Sequence, residues 1–155
     1  MLLYLLRHAD ADTVAPSDDA RFLSEKGLIQ AKKVGRFCEA HELHLSLMLT
    51  SPIRRAHETA QIVAGQLRTE LVIAPWLACG MSPQTAIEEL RAYRAQGSVM
   101  LVGHEPDFGT LAAHLLGLPS SGNLRIKKGS LTLLACEALA RGTARLEWTL
   151  PTRMM

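Results

Sequence analysis

Histidine and arginine residues are concentrated in three short segments of the 155-residue chain, each preceded by a run of apolar residues. Residues 7–10 are Arg-His-Ala-Asp, residues 50–55 are Thr-Ser-Pro-Ile-Arg-Arg, and residues 103–106 are Gly-His-Glu-Pro. Guanidinium groups bind phosphoryl oxygens in a bidentate manner. A neutral imidazole is a nucleophile near pH 7, because its reference pKa is about 6.5 and neighbouring cations favour the neutral form. Brought together, these side chains would form a cationic pocket whose natural ligand is a phosphoryl group.

The elements that must position these segments can be recognised from the apolar pattern. Apolar residues at helical spacing separate several short apolar runs. Ser24 is a predicted helix N-cap, and the pairs Ser51-Pro52 and Ser82-Pro83 are typical of helix starts. The apolar runs, which are typical of strands buried on both faces, occupy residues 2–6, 45–49, 71–73 and 99–102.

Strand and helix alternate four times, which predicts an α/β fold. The expected architecture is a three-layer sandwich with a mostly parallel central sheet and helices on both faces. Alternating residues at 131–136 and 144–150 predict edge strands joined by a turn at Gly142. Because the carboxyl ends of parallel strands meet at one edge of a sheet, the three polar segments should converge there. Helices that begin at this edge would add N-terminal dipoles and amide donors for an anion.

Length and composition exclude several classes of protein. A chain of 155 residues that is 48% hydrophobic is expected to fold as one domain over residues 1–155. Its net charge of +2 is too small to predict binding to nucleic acid or membranes. The three cysteines form no CxxC motif, and the apolar start ends at Arg7, too early for a signal peptide, so a cytoplasmic location is expected. No histidines and cysteines have zinc-ligand spacing, and neither a metal nor a cofactor is expected.

The three polar segments resemble, in the same order, the motifs of the histidine phosphatase (phosphoglycerate-mutase-like) superfamily. Residues 5–10 are similar to its Arg-His-Gly signature, and residues 102–106 are similar to the motif that carries its second histidine. Residues 50–59 are similar to its second motif, in which an arginine directly before an alanine binds phosphate. Residues 21–27 resemble the lead into its first helix. Three motifs in the correct order are far more specific than any one alone.

The resemblance implies a role for four residues. His8 is the expected nucleophile, which takes the phosphoryl group as a covalent phosphohistidine intermediate. Arg7, Arg55 and His104 are the expected catalytic partners, which bind phosphate by holding its non-bridging oxygens and stabilise the charge during transfer. The implied reaction is therefore phosphoryl transfer to a histidine without a metal ion.

Three further residues are candidates for the same site. Arg55 is preferred to Arg54 as the phosphate ligand because Arg55 directly precedes Ala56, as in the family motif, and Arg54 is expected to add a supporting charge. Ser51 follows the second apolar run and is a candidate through its position in that motif. Asp10 is as consistent with an Asx-turn as with an acid–base role.

Within the superfamily, the chain most resembles the SixA-like phosphohistidine phosphatases. It is short, it has no long insert that would form a lid, and its first motif continues with Asp10 as in that branch. Phosphomonoesterases and mutases of the superfamily use a glutamate as general acid after the third strand, whereas residues 75–80 contain no carboxylate. An imidazole leaves from a P–N bond far more easily than an alkoxide leaves from a P–O bond, so a phosphohistidine phosphatase can dispense with that acid. The expected partner is thus a phosphohistidine-bearing phosphotransfer protein.

Two other functions are compatible with the same residues. The first is a phosphatase for small phosphomonoesters, with Glu88, Glu89 or Asp10 as the acid. The second is a non-catalytic module that binds phosphoproteins, although such a module has no need of the nucleophile. The chain also departs from the family at Ala9, where glycine is usual, and the added methyl group is expected to strain the turn or crowd the pocket.

Overall fold

The computed structural model describes residues 1–155, in which strands and helices alternate as the apolar pattern predicts. None of its helices is sufficiently long and apolar to cross a bilayer. The elements are β1 (Leu2–Arg7), α1 (Glu25–Ala40), β2 (Leu47–Thr50), α2 (Arg54–Leu67), β3 (Leu71–Ile73), α3 (Pro83–Leu90), β4 (Ser98–Gly103), α4 (Asp107–Leu115), β5 (Leu131–Cys136) and β6 (Ala144–Leu150).

The six strands form one mixed sheet in the order β3-β2-β4-β1-β5-β6. The first four strands in this order, β3, β2, β4 and β1, run parallel to one another, whereas β5 runs antiparallel to both β1 and β6. The predicted α/β fold is therefore confirmed. The prediction that both final strands lie at an edge is wrong for β5, because β5 is hydrogen-bonded on both sides and nearly all of it is buried. Only β6 forms that edge of the sheet.

Two apolar layers fix the sheet between its helices. Successive residues of a strand point to opposite faces, so Leu3 and Leu5 of β1 pack in the layer covered by α3 and α4. Tyr4 and Leu6 pack in the opposite layer, which α1 and α2 cover. Burying a large apolar side chain contributes roughly 1.5–3 kcal/mol. The strand ends are therefore held on a rigid platform.

Two of the three predicted helix starts are confirmed. Ser24 Oγ accepts a hydrogen bond from the Gly27 amide at the start of α1, and Ser82 Oγ accepts one from the Thr85 amide at the start of α3. The prediction for Ser51 is wrong, because α2 begins at Arg54 and no side chain caps it. Ser51 Oγ instead accepts from the Ile53 amide and contacts the ring of His104.

The register of the three central strands brings their carboxyl ends level. Arg7 lies opposite Gly103 in the pair formed by β1 and β4, and Thr50 lies opposite Val102 in the pair formed by β2 and β4. The ladder continues one residue further, since the His8 amide donates to the Gly103 carbonyl over 2.9 Å. The three polar segments thus leave adjacent strands side by side.

Candidate active site

His8 is the first residue beyond β1, and its side chain is only 6% exposed. Its Nδ1 lies 2.7 Å from the carbonyl oxygen of Ala9. Because a carbonyl only accepts, Nδ1 carries the proton and Nε2 keeps its lone pair. Burial, reinforced by the nearby His104, Arg55 and Arg7, lowers the pKa of His8 to about 3 and outweighs the opposing bond to Ala9. The unprotonated Nε2 that a nucleophile requires is therefore present across the physiological pH range.

Arg55 comes from the first turn of α2 and directs its guanidinium group at His8. Arg55 Nε lies 3.3 Å from His8 Nε2, and the Arg55 side chain is buried. Its outer nitrogens are held by residue 18, because Nη1 donates to the Asp18 carbonyl over 2.7 Å and Nη2 pairs with the Asp18 carboxylate over 3.0 Å. Nη2 also lies 3.8 Å from Cys79 Sγ. The guanidinium group is thus fixed in position beside the nucleophile.

His104 is the first residue beyond β4, and its ring centroid lies 5.3 Å from that of His8. Its Nε2 lies 2.9 Å from Ser51 Oγ, which already accepts from the Ile53 amide. The Ser51 hydroxyl is then free to donate to His104 Nε2, which leaves the ring proton on Nδ1. Burial, helped by Arg55, lowers the pKa of His104 to about 4. Its Nδ1 is buried without a partner in the protein, which indicates that a ligand supplies the acceptor.

Arg7, the last residue of β1, is held by a segment to which the sequence pattern assigns no element. Its Nη1 donates to the Ile126 carbonyl over 2.8 Å, and the Gly129 amide donates to the carbonyls of Arg7 and His8. Arg7 Nε is buried without a partner. Burial lowers the pKa of Arg7, an effect that the Glu105 carboxylate opposes. The loop between α4 and β5 therefore positions the first motif.

Two of the further candidates are directed elsewhere. Arg54 pairs with Glu58 over 2.8 Å on the surface of α2, and its guanidinium carbon lies 5.3 Å above the Phe22 ring. Asp10 accepts from Lys128 and from Ser24, each over 2.8 Å. These hydrogen bonds, that of Lys128 foremost, lower the pKa of Asp10 and keep it ionised. Asp10 thus joins the first motif to the start of α1, whereas Ser51 and Arg55 lie beside the two histidines.

Asp18 is a site residue that the sequence pattern does not reveal. It lies in the polar loop before α1, 37 positions from Arg55, and it bonds to Arg21 as well. Its one sequence signal is that Asp18 and Asp19 form an acidic pair in a loop that precedes a helix. A contact between an irregular loop and a distant helix has no periodicity, so the residue types alone do not predict it.

The other nearby carboxylates serve backbone amides. Asp107 accepts from the amides of Gly80 and Met81, and so holds the loop that carries Cys79. Glu105 accepts from the Gly109 amide in α4, and burial raises the pKa of Glu105. Glu88 and Glu89, the carboxylates of α3, are exposed and lie in its last turn. That turn faces the opposite edge of the sheet, because the chain enters β4 from there.

Ala9 does not strain its turn, contrary to the expectation from the sequence. It is not among the residues with a positive φ, and its methyl group is fully buried against Leu23 and Ala31. Its amide donates to Thr59 Oγ over 3.1 Å. The methyl group therefore packs behind the site and does not crowd the nucleophile.

Three donor nitrogens belong to residues that neighbour His8 and are suited to a tetrahedral oxyanion. Arg55 Nε lies beside His8 Nε2, and Arg7 Nε and His104 Nδ1 are buried without partners. An unpaired buried donor costs about 1–3 kcal/mol, so two such donors in one site indicate a ligand rich in acceptors. The arrangement can hold a phosphoryl group against an imidazole lone pair, which is the geometry of transfer to histidine.

Comparisons with known proteins identify the family of this chain. The profile of the histidine phosphatase superfamily (branch 1) matches residues 3–78. A phosphohistidine phosphatase SixA homolog from Haemophilus influenzae is 32% identical over 130 residues, covering 76% of this chain and 78% of the relative. Phosphohistidine phosphatase SixA from Escherichia coli is 27% identical over 119 residues, covering 74% of each chain.

A solved structure of the protein histidine phosphatase SixA complexed with tungstate has the same fold. It superimposes with a TM-score of 0.88, at 22% identity, over 99% of this chain and 98% of that one. The chain is therefore a hydrolase of the histidine phosphatase superfamily and belongs to its SixA-like branch.

Proposed function

We propose that this chain is a phosphohistidine phosphatase that acts in the cytoplasm on a phosphotransfer protein, with His8 as its covalent nucleophile. The names of the relatives from Haemophilus influenzae and Escherichia coli support the substrate class. The geometry supports the nucleophile, since Nε2 of His8 is unprotonated and flanked by Arg55.

In the first step, the lone pair of His8 Nε2 attacks phosphorus and forms a new P–N bond. The P–N bond to the substrate imidazole breaks, and its electron pair stays on the substrate nitrogen. The substrate ring leaves as neutral imidazole because its other nitrogen has already taken a proton from solvent, and the water of the second step returns one proton to solvent. Arg7, Arg55 and His104 donate to the non-bridging oxygens as the group moves, which is where positioned donors lower a barrier.

In the second step, a water oxygen attacks the phosphorus carried on His8. The bond to Nε2 breaks, its electron pair returns to Nε2, and inorganic phosphate is released with the protons of the water shared between phosphate and solvent. The hydrogen bond from Nδ1 to the Ala9 carbonyl keeps a proton on that nitrogen throughout. His8 therefore departs as a neutral imidazole and needs no separate proton donor.

The carboxylates around the site already have hydrogen-bond or ion-pair partners, and this observation favours a P–N substrate over a phosphomonoester. Asp10 is paired with Lys128, Asp18 with Arg55, and Asp107 with two backbone amides. An alkoxide leaving group needs a proton donor aimed at its oxygen, whereas each of these carboxylates already accepts from another group of the protein.

The test is phosphate release from a phosphotransfer domain phosphorylated on histidine, measured with a chelator present and beside a simple phosphomonoester. We expect release from the phosphohistidine substrate, and a loss of at least about 10⁴-fold in a His8→Ala variant. His41→Ala is the matched control, because His41 is exposed at the end of α1. Faster turnover of the ester would overturn the proposal in favour of a small-molecule phosphatase. Tight binding of the phosphorylated domain without release would indicate a binding module.

A further inference from the structure

A groove of about 460 Å³ lies next to the candidate active site and is lined mainly by cations. It is bounded by the start of α1, the loop before β5 and the residues after β6, and only two apolar side chains, Ile126 and Pro151, take part in it. We call it the basic groove, and its cationic residues are Arg7, Lys26, Arg125, Lys127, Lys128 and Arg153.

The charge of the basic groove is a local property. The whole chain carries a net charge of +2, yet this groove has six cations and one carboxylate. That carboxylate, Asp10, is already paired with Lys128 over 2.8 Å. The four exposed cations, which take part in no ion pair, are Lys26, Arg125, Lys127 and Arg153.

The basic groove is continuous with the phosphoryl site. Arg7 belongs to both, because it directly precedes His8 while its Nη1 donates to the Ile126 carbonyl in the wall of the groove. A molecule bound in the groove therefore lies beside Arg7 and close to the phosphoryl group. A substrate that places its phosphohistidine at His8 brings part of its neighbouring surface close to these cations.

We propose that the basic groove binds the acidic surface of the substrate protein, namely the carboxylates that flank its phosphohistidine. This inference rests on the proposed function and names the part of the partner that the chain recognises. Unpaired cations at an open rim attract an oppositely charged surface and raise the rate of encounter, and they contribute specificity more than raw affinity.

The lining of the groove favours an acidic protein over a nucleic acid or a membrane. Surfaces that bind single-stranded nucleic acid combine cations with aromatic side chains on which bases stack, and none of the lining residues is aromatic. Membrane-surface sites present a broad apolar face, whereas the apolar side chains of this lining are only Pro151 and the buried Ile126. Carboxylates require only the charge that the groove supplies.

The test reverses three groove charges that touch neither histidine, in an Arg125→Glu, Lys127→Glu, Arg153→Glu variant. The control variant is Arg91→Glu, Arg94→Glu, Arg141→Glu, which has the same net charge and changes exposed arginines at the opposite edge of the sheet. One substrate is a phosphotransfer domain whose phosphohistidine is flanked by carboxylates. The other is free phosphohistidine, which has no protein surface.

We expect the groove variant to lose about tenfold or more in kcat/KM for the domain through KM, with kcat and turnover of free phosphohistidine unchanged. Raising the salt concentration should lower kcat/KM in the parent and the control, and have little effect in the groove variant. Changing the flanking carboxylates of the domain to amides should reproduce the loss in the parent.

Two results would overturn the basic-groove proposal while leaving the proposed function intact. The first is equal kcat/KM for the domain in the groove variant and the control variant. The second is a parent chain that hydrolyses both forms of the domain equally but binds single-stranded RNA through the groove. If the parent hydrolyses neither the domain nor free phosphohistidine, the proposed function itself fails.

Discussion

The parallel strands begin at one edge of the sheet, the amino edge, and end at the other, the carboxyl edge. Both edges contain arginines and open cavities, but they differ in whether their buried polar groups have hydrogen-bond partners. At the amino edge, Met1, Arg91, Arg94 and Cys136 line a cavity of about 360 Å³. There the terminal ammonium donates to the Cys136 carbonyl over 2.8 Å, and both arginines are exposed to water.

At the carboxyl edge, by contrast, buried donors stay unpaired. Arg7 Nε and His104 Nδ1 have no protein partner, and two buried histidines lie 5.3 Å apart. Most buried polar groups of a folded chain have a partner, and His57 Nδ1 is the one other buried side-chain nitrogen or oxygen without one. Two such groups on neighbouring strands, beside a buried histidine, are therefore more informative about function than the size of a cavity. The difference assigns the chemistry to the carboxyl edge, and it is there that substitutions should have the largest effects.

After removal of the His8 imidazole, the largest effect is expected from Arg55→Lys. A lysine at this position keeps the charge but loses the planar fork that lies beside His8 Nε2, and it also loses the contacts with Asp18. We expect kcat for a phosphohistidine substrate to fall by about 10²–10³-fold, the usual cost of removing a positioned donor from a developing oxyanion. Arg94→Lys, at the amino edge, should leave kcat unchanged. A loss of less than tenfold in Arg55→Lys would show that the two edges do not differ in this way.

The carboxyl edge should also make the protein sensitive to acid. The pKa values of His8 and His104 are lowered to about 3 and about 4, above all by burial. The unfolded chain binds protons at these residues near pH 6.5, and the native chain does not, so stability is full above that pH and is lost as the pH falls. Each histidine contributes a slope of up to about 1.4 kcal/mol per pH unit, so the two together contribute about 4 kcal/mol between pH 7 and pH 5.

Urea unfolding at pH 7, 6 and 5 measures this slope. A His8→Asn, His104→Asn double variant should lose most of the pH dependence in that interval, whatever its stability at pH 7. His41→Asn, at an exposed position, should behave like the parent. An unchanged slope in the double variant would mean that these two imidazoles are protonated in the native state.

A third comparison concerns two helical glycines, one at each edge. Gly27 packs against the backbone of the first motif, where an added Cβ would lie 1.9 Å from the Asp10 carbonyl oxygen. Gly65 lies near the end of α2, at an exposed position, and an added Cβ would meet nothing within 4 Å. Gly27→Ala should destabilise the protein by at least about 2 kcal/mol because rigid backbone must move. Gly65→Ala should stabilise it by about 0.5–1 kcal/mol through helix propensity.

Thermal or urea unfolding of the two glycine variants checks this pair directly. Equal and small changes in both variants would show that α1 can shift away from the first motif without cost. The same measurement reports on the site, since a displaced α1 would also move Ser24 away from Asp10.

Periodicity and strand order are enough to predict the central residues of the site. His8 and His104 are identifiable because each directly follows an apolar strand. Arg54 and Arg55 follow another strand, and the preference for Arg55 comes from the resemblance to the family motif. Parallel pairing then brings them together by geometry alone. The alternation of apolar residues likewise predicts β5 and β6 with their observed bounds.

The partners of those residues are not predictable in the same way. Asp18, Ile126 and Lys128 lie in irregular loops, and their contacts with Arg55, Arg7 and Asp10 span 37, 119 and 118 positions. Such contacts depend on the path of the folded backbone and not on a local pattern of residue types. The misplaced start of α2 has a similar cause, because Ser51 contacts His104 on a neighbouring strand and does not cap its own helix.

The smallest effect is expected from Asp18→Asn, which refines the comparison within the carboxyl edge. The Asp18 carboxylate pairs with Arg55 Nη2 over 3.0 Å and is 62% exposed, so it contributes a screened charge beside the site. Exposed ion pairs are worth about 0.2–1 kcal/mol. Replacing this carboxylate leaves the backbone contact from Arg55 Nη1 in place and removes a negative charge that competes with phosphate. We therefore expect the inhibition constant of inorganic phosphate to fall by about two- to fivefold at low salt and to converge with that of the parent at high salt.

The adjacent Asp19→Asn, exposed and outside any ion pair, is the matched control. Weaker phosphate inhibition in Asp18→Asn alone would show instead that the carboxylate serves to position Arg55 against His8.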